Sequence, residues 1–118
     1  MKTFFEPVQS MAGMEQINRT FEKTGRSIMI SGCIDTQKTH LIEAIGEKYS
    51  YRVIVTYDES KAREIQEDCR FFDKSAVYYP AKDFIFYSAD VHGNQLVAER
   101  IRCVHALVQA IRKEQQLT

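Results

Sequence analysis

A chain of 118 residues with 16 Lys and Arg against 16 Asp and Glu carries no net charge, so no global basic field gathers nucleic acid or an anionic membrane onto it. Hydrophobic residues make up 44% and charged residues 27%, the balance of an ordinary soluble domain, and no apolar run is long enough to span a bilayer. This size holds one core but is small for a complete nucleotide-driven motor lobe.

Residues 1–25 read as a helical lead-in. Phe4, Phe5, Val8 and Met11 place apolar side chains on one short helix, with Pro7 tolerable near its start, and Gly13 breaks or bends it. Ile17 and Phe21 mark a second short helix that Gly25 can close. Ser27 to Ser31 then reads as a buried strand, and the loop after it is the most informative stretch of the chain.

That loop keeps the outline of a phosphate loop, G-x-x-x-x-G-K-[ST], in which backbone N–H groups wrap phosphates, the Lys reaches the outer oxygens and the hydroxyl holds Mg²⁺. Gly32, Lys38 and Thr39 stand in place, but Gln37 replaces the second glycine. A side chain there crowds the cradle, because glycine lets backbone approach phosphate without a Cβ. Asp35 adds a carboxylate, and a like charge roughly 5 Å from a phosphate oxygen costs about 3 kcal/mol at an effective dielectric near 20. The pattern predicts a degenerate nucleotide loop without productive ATP binding. Structurally, the same residues serve as a tight turn at Gly32, an N-cap at Asp35 and an ordinary first helical turn.

After the loop, Leu41, Ile42, Ala44, Ile45 and Tyr49 recur at helical spacing. Arg52 to Tyr57 reads as a second strand with the continuous apolar run of a central parallel position. Asp58 is an N-cap for a helix whose Ala62, Ile65, Cys69 and Phe72 share a face, leaving Glu64, Glu67, Asp68 and Arg70 solvated. Ala76 to Tyr79 reads as a third strand, stopped by Pro80. The aromatic connection Ala81 to Gly93 is long for a turn, and Asp83, Phe84, Phe86 and Tyr87, with Arg100 beyond it, form a candidate partner or interdomain surface. Phe84, Phe86 and Tyr87 equally suit pinning that connection to the core. A final helix opens at Asn94 or Gln95, with Val97, Ile101, Val104, Leu107, Val108 and Ile111 as its expected buried stripe.

Alternating strands and helices predict a three-layer α/β sandwich with a small parallel sheet, a P-loop or RecA-like lobe whose sheet is incomplete. The helical lead-in and the 26–118 core make one domain, expected to be an N-terminal fragment of a larger multidomain protein. An uncovered sheet edge and the aromatic segment predict a concentration-dependent homodimer. Cys33, Cys69 and Cys103 lack zinc-like spacing and no secretory signal opens the chain, which predicts buried thiols in a reducing cytoplasm. Cys33 and His40 lack a third member for nucleophilic catalysis.

The run GCIDTQKTHLI, the helix end CRFFD, and then YYPAKDFIFY and SADVHGNQLVAERIRCVHAL resemble the opening of the bacterial transcription-repair coupling factors, from about Ser27 onward. Members of that family recognise stalled RNA polymerase, move on DNA with a downstream motor that uses ATP and Mg²⁺, and recruit excision proteins through UvrA. The resemblance implies a first module similar to UvrB, with a degenerate nucleotide loop and no motor activity. For this chain it implies a non-catalytic scaffold with no cofactor of its own. Separately, Arg100, Arg102, Arg112 and Lys113 give the last helix a local basic bias in a neutral chain, which predicts weak, salt-sensitive DNA binding at most, and the lack of a long apolar run predicts no membrane contact. The family's UvrA-contacting surface lies mainly in a later domain, so no residue here takes that role. An alternative is the first part of an active helicase or a UvrB-type subunit, which needs an intact G-K-[ST] loop. A receiver-type signalling module needs acidic residues at the first strand's end and an Asp at the third's, where this chain has Ser31, Gly32, Tyr79 and Pro80.

Overall fold

The computed structural model describes residues 2–23, 25–81 and 90–117. Five helices follow in chain order: α1 Lys2–Gln9, α2 Met14–Phe21, α3 Asp35–Gly46, α4 Glu59–Phe72 and α5 Asp90–Leu117. The expected sandwich with a parallel sheet is not formed; among the described residues there is no strand and no sheet. A strand exists through its ladder, and no backbone hydrogen bond joins residues 27–31, 52–57 or 76–79 to one another. These runs are connections without regular secondary structure instead. Met29 is 95% exposed, Val53 88% and Val55 90%, so apolar residues suited to a sheet lie open to solvent.

The chain divides into two compact units, Met1–Val55 with Glu67–Lys74, and Thr56–Gln66 with Ser75–Thr118. In the first, Phe5 and Val8 of α1, Met14 of α2 and Ala44 of α3 are buried together, with Ile17, Leu41, Ile45 and Phe72 packed against them. Gly13 separates α1 from α2 where the sequence predicts a break. Polar contacts fix α1 on α3: the Gln9 amide donates to the Ala44 carbonyl at 3.0 Å, and His40 Nε2 donates to the Phe4 carbonyl at 2.7 Å. The His40 ring stacks on Phe72, and Phe5 packs beside both.

In the second unit, Asp58 caps α4 as expected, its Oδ1 accepting from the Lys61 N–H at 2.7 Å. Arg63 bonds Glu59 at 3.0 Å, reaches Glu99 of α5 at 3.4 Å and lies over the Tyr78 ring. Arg100 donates to the Pro80 carbonyl and the Tyr79 hydroxyl. These contacts turn α5 about its axis. The half-buried and buried line is Leu96, Glu99, Arg100, Cys103 and Ala106, whereas the expected core stripe of Val97, Ile101, Val104, Leu107, Val108 and Ile111 is exposed. The helix also starts at Asp90, before the expected Asn94 or Gln95.

Among the described residues no helix is long and apolar enough to cross a membrane. Phe5, 6% exposed, joins the apolar core to the aromatic group. Phe5→Ala is expected to cost about 3 kcal/mol, read as a lower urea midpoint at unchanged slope.

Candidate functional site

The degenerate loop is a helix N-terminus preceded by one left-handed residue. Gly32 has φ 85°, a conformation that costs an L side chain roughly 1–2 kcal/mol even though an added Cβ would meet no atom within 4 Å. Ile34 follows in extended backbone, and its carbonyl accepts from the Lys38 N–H at 2.9 Å. Ile34 therefore holds the N-cap position expected of Asp35, and no side-chain cap bond forms there. Asp35 is the first helical residue, where its charge suits the helix dipole.

Lys38 Nζ lies 3.1 Å from Asp35 Oδ1, with both side chains about half exposed. Such a pair contributes about 0–1 kcal/mol to stability, but it holds the Lys head on the helix's own carboxylate. Thr39 is only 3% exposed and Gln37 stands in solvent. Of the two groups a working phosphate loop uses, the cation has a neighbouring carboxylate and the hydroxyl is buried. His40 is committed to Phe4 and Phe72, while Cys33 is a half-buried free thiol.

The second candidate group is described only at Arg100, whose guanidinium covers the Tyr79 ring at 4.4 Å and bonds the Pro80 carbonyl at 3.0 Å. Asp83, Phe84, Phe86 and Tyr87 lie outside the described residues.

The densest polar site was not legible in the sequence. Glu43 of α3 has a side chain 5% exposed, and Arg52 Nη2 lies 3.1 Å from its carboxylate and 2.9 Å from Asp73. Arg52 Nη1 also donates to the Gly46 carbonyl at 3.0 Å. Gly46 is required for this approach, since a Cβ there would stand 2.1 Å from Arg52 Cδ. Cys69 is buried beside the cluster. Burial first, then its hydrogen bond to Glu43 and that carboxylate's charge, push its thiol up to about 12. Arg52 ties Glu43 of α3, the Gly46 carbonyl and Asp73 together. The one sequence signal was a charged Glu43 on the same helical row as Thr39 and Gly46. Arg52 and Asp73 are too distant in sequence for spacing to pair them.

No family model, curated protein or solved structure matches the chain.

Removing Arg52 leaves Glu43 buried without its cation. Arg52→Ala is expected to cost about 2 kcal/mol, below the full buried-pair range of about 3–5 kcal/mol because Arg52 and Asp73 are partly solvated. Glu43→Leu combined with Arg52→Met is expected to recover most of that loss in urea unfolding, whereas Gly46→Ala behaves like the Arg52 single variant.

The raised Cys69 pKa also sets a pH dependence. The native state retains this proton more firmly than the unfolded chain, so the contribution is complete below the ordinary value of 9.0 and disappears as pH rises toward about 12. Chemical denaturation at stepped alkaline pH is expected to show a decline in that window, reduced in Cys69→Ala. Native Cys69 is expected to resist iodoacetamide at pH 8 and to react once unfolded.

Proposed function

We propose that the chain is a non-catalytic scaffold segment of a transcription-repair coupling factor, serving transcription-coupled nucleotide excision repair in the bacterial cytoplasm. The sequence resemblance from about Ser27 onward supports the family. The non-catalytic part is supported by one observation: Thr39 is buried, and Lys38 has Asp35 as a carboxylate that competes with phosphate for its head group. The proposal takes the family's role and not its sheet. In it, ATP and Mg²⁺ belong to the downstream motor, and UvrA, RNA polymerase and DNA are partners of the full-length factor. The segment itself binds DNA weakly at most, since the basic residues Arg100, Arg102, Arg112 and Lys113 of α5 stand in a neutral chain.

Titration calorimetry with Mg-ATP is expected to show binding no tighter than millimolar, and phosphate release no hydrolysis. Low-micromolar affinity or turnover would overturn the reading. Asp35→Asn with Gln37→Gly is expected to recover phosphate binding without turnover, because a cradle alone supplies neither the metal-binding nor the water-positioning carboxylates of a motor. In the full-length factor, Lys38→Ala is expected to leave DNA translocation unchanged.

A further inference from the structure

We draw no further inference here: the strongest candidate, the exposed apolar face of α5 from Val97 to Ile111 with the open hollow beside Tyr79, carries nothing further, because nothing in the structure shows what covers it.

Discussion

A buried carboxylate governs the first unit. Glu43 comes inward because α3 presents it on the same side as Thr39 and Gly46, and a charge with so little solvent is tolerated only with a cation and further hydrogen bonds. Arg52 supplies both, and its reach ties the connection after α3 to Asp73, just past the end of α4. The absence of a side chain at Gly46 is part of the same arrangement, since the Arg52 stem passes where a Cβ would stand. Cys69 completes it as a neutral donor to the carboxylate. The segment around Arg52 is thus anchored by a side chain rather than a ladder, and Val53 and Val55 lie open to solvent.

Polar contacts govern the second unit in the same way. Arg63 draws Glu99 toward α4, and the Pro80 carbonyl and Tyr79 ring draw Arg100 inward. With those two residues on the inner side, the apolar line one position away must face solvent, because neighbouring residues on a helix are about 100° apart. A few charge-assisted bonds therefore leave a long hydrophobic seam exposed. Such a seam is the usual mark of an interaction surface.

The start of α3 is likewise organised by its own contacts. Asp35 and Lys38, one turn apart, satisfy each other, and Thr39 turns into the protein. The result is a helix start with a left-handed glycine before it.

The presence and order of the five helices, though not the starts of α3 and α5, were determined by the sequence itself because their causes are local. The 3.6-residue spacing of α1 to α5, the break at Gly13 and the Asp58 cap act within a few residues of chain. The departure from a phosphate-loop pattern at Gln37 and Asp35 is likewise local, since both lie inside the motif. Only the tertiary structure decided whether the apolar runs at 27–31, 52–57 and 76–79 would pair. β-propensity marks a segment that fits a pleated surface, but a ladder needs a partner strand from elsewhere. Which face of α5 turns inward was likewise decided by Arg63 and Arg100, whose partners include residues some 20 to 36 positions away. The pairing of Glu43 with Arg52 and Asp73 followed the same rule: a buried charge shows in the sequence only as an oddly placed residue, and its cation is chosen by the fold.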